Sequence, residues 1–103
     1  MREAIIICPK LGNKGEDISQ AHDTLREALL KHFGGFRYRD ACGVWRSPDT
    51  GVLYEEECRE YVVACVDSLA NVRILETIAR QFRIQAKQEC VYLRWPDGSV
   101  WFV

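Results

Sequence analysis

The chain has 103 residues and a formal net charge of −1, so we expect one small domain over residues 1–103, because this length leaves no room for a second core. Hydrophobic residues make up 48% and charged residues 28% of the chain, a balance that is too apolar for a disordered protein. The apolar run Tyr61 to Val66 is far shorter than a membrane span of roughly 20 residues. The near-neutral charge argues against a protein that binds nucleic-acid phosphates, because such a protein usually carries a marked excess of basic residues.

The five cysteines are odd in number and contain no C-x-x-C pair. They lie in apolar or strand-like segments, where a reduced cysteine behaves as a small hydrophobe, so we expect them in the core. A disulfide framework is not expected, because the number of cysteines is odd. A metal site is not expected either, because no metal ligands cluster in the sequence. Reduced thiols, together with a start in which Arg2 and Glu3 lead directly into a strand, predict a cytoplasmic protein. The cysteines are Cys8, Cys42, Cys58, Cys65 and Cys90.

The first third of the chain predicts a strand followed by a helix. Arg2 to Cys8 is a β-branched run that ends at Pro9. Asp17 is the predicted N-cap of the helix, with Gln20 completing a capping box, and Gly34 ends the helix because glycine readily takes the left-handed conformation. The predicted buried stripe consists of Ile18, Ala21, Leu25, Ala28, Leu29 and Phe33.

Two long strands, Phe36 to Ser47 and Val52 to Val66, flank a predicted loop over residues 48–51. With four residues in the loop, Trp45 lies opposite Tyr54. Charged side chains occupy both faces of the hairpin near its tip, so we expect the tip to extend past the body of the domain.

Charge pairing fixes the predicted register of this hairpin. The four-residue loop places Asp40 opposite Arg59 and Arg39 opposite Glu60. A shift of one residue would instead place Asp40 opposite Glu60, which cross-strand electrostatics disfavours.

The last third predicts a second helix and two strands. The helix starts at Leu69 or Val72 and runs to Ala86, with Asp67, Ser68 or Asn71 as its cap. A strand over residues 88–95 and a short strand over residues 100–103 follow, separated by a turn. The order β-α-β-β-α-β plus a terminal strand predicts an α+β, ferredoxin-like plait, with two helices on one face of an antiparallel sheet. The other face is then open to solvent, a second subunit or a ligand.

The leading functional hypothesis is a self-associating binding module without catalytic activity. Aromatic residues load the predicted sheet, and Trp and Tyr are favoured at protein interfaces. We therefore predict a homodimer that associates through the open sheet face or the protruding hairpin and binds a protein partner or a small molecule, with no cofactor, no metal and no membrane. Trp45 is the proposed apolar anchor, Arg46 and Glu89 a charge pair or ligand contacts, and Gln88 a hydrogen-bonding group. The predicted binding residues are Trp45, Arg46, Gln88, Glu89 and Tyr92.

Two other classes of function stay open. One is a small enzyme with its pocket between the sheet and a subunit partner, using Tyr or Glu as acid or base; the other is a single-stranded nucleic-acid binder. No nucleophile–base pair is visible, and we expect His22 and His32 on the surface of the first helix or complementing its dipole. The loop Lys10 to Gly15 is interpreted as an ordinary connection rather than an anion site.

Short motifs in the last two-thirds of the chain resemble an uncharacterised family of small bacterial proteins. They are Phe33-Gly34-Gly35-Phe36, Gly43-Val44-Trp45-Arg46, and Gln88-Glu89-Cys90-Val91, the last similar to a Q-E-x-V motif. The resemblance implies the plait fold and no established activity.

Overall fold

The first strand lies at the centre of the fold. In the computed structural model, which describes residues 1–103, β1 (Arg2–Pro9) buries Ala4, Ile6 and Cys8, while Ile5 and Ile7 stay half-exposed. Side chains alternate between the two faces of a strand, so the even-numbered residues face the core and the odd-numbered residues face the open side of the sheet.

The first helix, α1 (Ser19–Phe33), carries the predicted apolar stripe and ends as predicted. Gly34 takes the left-handed conformation (φ 78°) and donates its N–H to the carbonyl of Leu30. The predicted capping box is wrong, because the N-cap is Ile18, a buried residue whose side chain makes no capping hydrogen bond. The Asp17 carboxylate instead accepts the N–H of Ser19 at 2.8 Å.

The hairpin of β2 (Arg37–Arg46) and β3 (Leu53–Cys65) has the predicted register. Asp40 pairs with Arg59 through a 2.8 Å Nε–Oδ1 contact, and Arg39 pairs with Glu60 through a 2.7 Å Nε–Oε1 contact. Both of the ion pairs used to choose the register therefore form.

The second helix, α2 (Leu69–Gln85), begins at one of the three predicted caps. The Ser68 hydroxyl accepts the N–H of Asn71 at 3.2 Å, which satisfies one of the unpaired donors of the first turn. Leu75, Ala79 and Phe82 are buried on the core side of the helix.

The last two strands are shorter than predicted. β4 (Tyr92–Arg94) and β5 (Val100–Phe102) have three residues each, so the predicted strand over residues 88–95 is wrong in its first part. Lys87 has a φ of 55°, and the N–H of Gln88 bonds back to the carbonyl of Arg83. These backbone groups close the end of α2 and leave residues 88–90 outside the sheet, whereas Val91 exchanges two backbone hydrogen bonds of 2.9 Å with Val103.

The five strands form one antiparallel sheet in the order β2-β3-β1-β4-β5. One face of this sheet and both helices enclose a core of 18 buried residues, which include Tyr61, Phe82 and Leu93. This is the predicted ferredoxin-like α+β fold with an additional terminal strand. Neither helix has the length and apolar character that crossing a membrane requires.

Candidate functional site

The open face of the sheet has an apolar centre. Register places Ile7 beside Tyr92, and Tyr92 beside Phe102, on the face away from the helices. Tyr92 packs edge-on against Phe102 with ring centroids 5.9 Å apart, and Phe102 remains 71% exposed. This combination leaves a partly aromatic surface without a covering element.

Two of the predicted binding residues lie at the tip of the hairpin. Trp45 stacks on Tyr54, its cross-strand partner, with centroids 4.7 Å apart, and both rings are substantially exposed. The Arg46 guanidinium donates to the carbonyl of Gly51 at 3.0 Å, across the loop. Arg46 therefore stabilises the turn, whereas the Trp45 ring is free on one side.

The other three predicted residues lie across the sheet. Gln88 is half-buried and donates its side-chain N–H to the carbonyl of Ala86, Glu89 is exposed, and Tyr92 belongs to the open face. Strands β3 and β1 separate β2 from β4, so one protomer does not bring the two groups together. Arg46 and Glu89 form no ion pair.

Three of the cysteines do not lie in the core. Cys8 and Cys65 are buried as predicted, but Cys58 is half-buried and both Cys42 and Cys90 are exposed. Cys42 lies on the projecting part of β2, and Cys90 lies in the segment before β4, so neither faces the core. Burial raises the pKa of the Cys8 thiol well above its ordinary value, which makes this residue a poor nucleophile.

His22 is buried on the core side of α1, so the predicted surface position is wrong. Its side chain is 5% exposed. Nε2 lies 2.8 Å from the carbonyl oxygen of Pro9, and Nδ1 lies 2.6 Å from the hydroxyl of Tyr61. The ring therefore connects α1 to the end of β1 and to the middle of β3.

These two contacts fix the proton arrangement of the pair. A carbonyl can only accept a hydrogen bond, so Nε2 carries the proton and donates to Pro9. Nδ1 of the neutral ring then accepts the hydrogen bond that the Tyr61 hydroxyl donates. Burial lowers the pKa of His22, which favours the neutral form, and burial raises the pKa of Tyr61 more than the nearby Arg59 cation lowers it.

A network of charges borders the buried pair. Asp40 accepts from Arg59 at 2.8 Å and from the Lys10 ammonium at 3.2 Å. The two cations hold the pKa of the Asp40 carboxyl below its usual range. This network connects the loop after β1 to the root of the hairpin.

The buried pair and the charged network meet at a polar cleft of about 230 Å³ beside the first half of α1. The cleft was not predicted from the sequence, although the sequence contains one indication that His22 is buried. Ile18, His22, Leu25 and Leu29 are spaced by four, three and four residues, which places His22 on the buried stripe of the helix. The cleft is lined by Lys10, Asp17, Ser19, His22, Asp23, Arg26 and Arg59.

A second cleft of about 280 Å³ lies on the other side of the loop after β1. Its walls include Gly12, Glu56, Glu57 and the predicted binding residue Gln88. The side chain of Asn13 donates to the carbonyl of Lys87 at 3.2 Å, so the loop is tied to the end of α2. No three His, Cys, Asp or Glu side chains converge closely enough to hold a metal ion.

The fold defines a class of small ferredoxin-like proteins, and three solved structures share it. A phage SAM lyase in complex with S-methyl-5'-thioadenosine has a TM-score of 0.72 at 17% identity, over 98% of this chain and 87% of the lyase chain. A phage SAM lyase in its apo state has a TM-score of 0.65 at 19% identity, over 98% and 86%. A mutant of CutA1 from Pyrococcus horikoshii OT3 has a TM-score of 0.55 at 8% identity, over 100% and 81%. No protein-family model and no curated protein matches the sequence.

Proposed function

We propose that this protein is a self-associating domain that binds a small ligand. The observation that supports self-association is the open sheet face, where Ile7, Tyr92 and Phe102 form an uncovered apolar surface. Isolated apolar side chains are common on protein surfaces, but contiguous patches mark interaction sites.

The charges around this patch fit a second copy of the same chain. Arg37 pairs with Glu3, and Arg39 pairs with Glu60, on the same open face. A twofold axis brings a surface against itself, so a face that carries both signs of charge can meet opposite charges in its copy. A homodimer through this face is therefore the proposed assembly.

Light scattering across about a hundredfold range of concentration tests this assembly. We expect twice the protomer mass at the upper end of the range. Phe102→Lys should shift the protein to the protomer mass, because it places a charge in the apolar patch. Leu69→Lys is the matched control, since Leu69 is also exposed, at the start of α2, and lies outside the sheet. A protomer mass for the unaltered chain throughout would contradict the proposal.

A second candidate function is a lyase that acts on S-adenosylmethionine (SAM). It is supported by the likeness to the phage SAM lyases and by the polar cleft with its buried His22–Tyr61 pair. Such a reaction breaks a carbon–sulfur bond of the sulfonium, and the electron pair leaves with sulfur to form an uncharged thioether. The carboxylate oxygen of the same substrate can form the new bond to the carbon that loses sulfur, which closes a lactone and balances the step without a proton acceptor. Both ring nitrogens of His22 are bonded within the protein, so in this candidate His22 positions the wall of the cleft and takes no proton from the substrate.

Incubation of the purified protein with S-adenosylmethionine tests the second candidate. We expect S-methyl-5'-thioadenosine to accumulate in proportion to the protein and faster than in buffer alone. His22→Gln should lower this gain, because His22 ties α1 to Pro9 and Tyr61 at the wall of the cleft, while the exposed His32→Gln should not change it. No product above the buffer rate would exclude the lyase and leave the binding module in place.

The cellular setting and family are also proposals. Five free cysteines fit a reducing compartment such as the cytoplasm. The short motifs around Gly34, Trp45 and Gln88 support membership of the uncharacterised bacterial family that they resemble.

A further inference from the structure

Arg26 is a cation without an anionic partner. Its guanidinium carbon lies 5.1 Å from the ring centroid of Tyr38 and 5.5 Å from that of Phe36. Stacking on two rings holds the planar group in place. No carboxylate lies within ion-pair distance of it, and its side-chain N–H groups donate no hydrogen bonds within the protein, so those donors remain available to a ligand.

Asp23 is an anion without a cationic partner in the same cleft. It precedes Arg26 by three residues on α1, a spacing at which opposite charges usually pair on a helix surface. The pair does not form, and the guanidinium stacks on the aromatic rings of Tyr38 and Phe36 instead. Both residues nevertheless line the one cleft.

The other two cations of the cleft and its histidine are already occupied. Lys10 and Arg59 both pair with Asp40. Both ring nitrogens of the neutral His22 form hydrogen bonds, one with Tyr61 and one with Pro9. The Asp17 carboxylate accepts the N–H of Ser19. Arg26 is therefore the cation of the cleft without an anionic partner, and Asp23 is the carboxylate that has neither an ion pair nor a hydrogen bond.

We propose that this cleft binds the zwitterionic α-amino acid group of a small ligand. Its carboxylate would bind Arg26, whose guanidinium can donate two parallel hydrogen bonds to a carboxylate, and its ammonium would bind Asp23. The cleft volume of about 230 Å³ lies below the roughly 300–1,000 Å³ of a site that encloses a whole ligand. The cleft is therefore sized for an end group.

This inference rests on the proposed ligand binding and deepens it. S-adenosylmethionine carries an α-amino acid end group, and S-methyl-5'-thioadenosine lacks it. The two nucleosides therefore differ in the group that the cleft is proposed to recognise.

Calorimetric titration with three probes tests the inference. S-adenosylhomocysteine contains both the nucleoside and the amino acid group, S-methyl-5'-thioadenosine contains only the nucleoside, and L-methionine contains only the amino acid group. We expect S-adenosylhomocysteine to bind about tenfold or more tightly than S-methyl-5'-thioadenosine, as expected for an added charged hydrogen bond. L-methionine should compete with S-adenosylhomocysteine.

Two variants assign the binding to the cleft. Asp23→Asn and Arg26→Met should each weaken binding of S-adenosylhomocysteine by about tenfold or more. Asp23 is exposed, so we expect Asp23→Asn to fold normally. It therefore tests the inference even if Arg26→Met destabilises the protein by removing the stacking on Tyr38 and Phe36. Asp49→Asn in the hairpin loop and Arg73→Met on α2 are matched controls, because both residues are exposed and neither lines the cleft.

Each outcome separates this inference from the broader proposals. Equal binding of the two nucleosides, without binding of L-methionine, would overturn the inference and leave a nucleoside-binding module. Binding of L-methionine alone, lost in both variants, would support the inference and count against the lyase. No binding of L-methionine or of S-adenosylhomocysteine would overturn the inference, as would binding that neither variant weakens.

Discussion

At the scale of single residues, His22 joins three segments that are far apart in sequence. Its ring contacts the Pro9 carbonyl and the Tyr61 hydroxyl while its own backbone belongs to α1. A buried polar group is favourable only when its hydrogen bonds are made. The two contacts satisfy both ring nitrogens, so removal of either partner leaves one nitrogen unpaired.

Tyr61→Phe should lower the free energy of unfolding by about 1–3 kcal/mol, because the buried Nδ1 of His22 loses its donor. Urea denaturation measures this change. Tyr54→Phe is the matched control: its hydroxyl makes no hydrogen bond in the protein, and its ring is 40% exposed. An equal effect of the two substitutions would show that the His22–Tyr61 hydrogen bond contributes nothing.

The lowered pKa of His22 makes stability depend on pH. The unfolded chain takes up this proton near the ordinary histidine pKa of about 6.5, whereas the folded protein takes it up only at lower pH. The histidine contribution is therefore complete above about pH 6.5 and is lost as pH falls from there to the folded-state pKa.

Urea denaturation at about pH 7.5 and pH 5.5 measures this loss. His22→Gln should remove most of the decrease in stability between the two values, and His32→Gln, at an exposed position, should retain it. If the decrease were the same in all three proteins, His22 would not be its source.

Residue roles were harder to predict than residue positions. The helical spacing places His22 on the buried stripe, but its partners come from Pro9 and from Tyr61, whose proximity depends on the tertiary fold. The same limit applies to Arg26, since no sequence pattern indicates that Tyr38 and Phe36 stack on it. Local spacing specifies a face of an element and leaves the facing element unknown.

At the scale of elements, the two helices begin differently. Ser68 caps α2 with its hydroxyl, whereas α1 begins at Ile18 without a side-chain cap. Ser68→Ala should lower the free energy of unfolding by about 1 kcal/mol. Ser19→Ala is the control, because Ser19 is exposed and its hydroxyl caps nothing. Equal losses in urea denaturation would show that the Ser68 hydroxyl has no capping role.

Element boundaries were predictable where a strong local signal decides them. The charges of Asp40 and Arg59 select one register of the hairpin, and Gly34 ends α1. The predicted strand over residues 88–95 begins too early. The reason is that Lys87 adopts a left-handed conformation that non-glycine residues rarely take. Its energetic cost is offset by backbone hydrogen bonds that sequence periodicity does not reveal.

At the scale of the whole molecule, the order of the strands separates the predicted binding residues. Trp45 lies on the edge strand β2, and Tyr92 lies on β4, so that β3 and β1 stand between them. The predicted plait already contains this order, so these residues can form one site only between protomers. The polar cleft beside His22 lies within a protomer and therefore needs no partner to exist.

The five thiols should differ in reactivity according to their position in the fold. Two thiols, those of the exposed Cys42 and Cys90, should react rapidly with Ellman's reagent, and the half-buried Cys58 should react slowly. Cys8 and Cys65 should react only after unfolding, because burial hides them and raises the pKa of both thiols. Cys90→Ser should remove one rapid equivalent, and rapid reaction of all five would contradict this arrangement.

The central position of β1 has a consequence for the order in which the chain can fold during synthesis. This strand is translated before the other four, yet its neighbours in the sheet are β3 and β4, and Ile6 lies opposite Leu93. Until those later strands leave the ribosome, the apolar side chains of β1 have no sheet to join. The β2–β3 hairpin, whose strands are close in sequence, can pair earlier. The core therefore closes only after β4 has been made, and β1 is the strand with the longest delay between its own synthesis and that of its last partner.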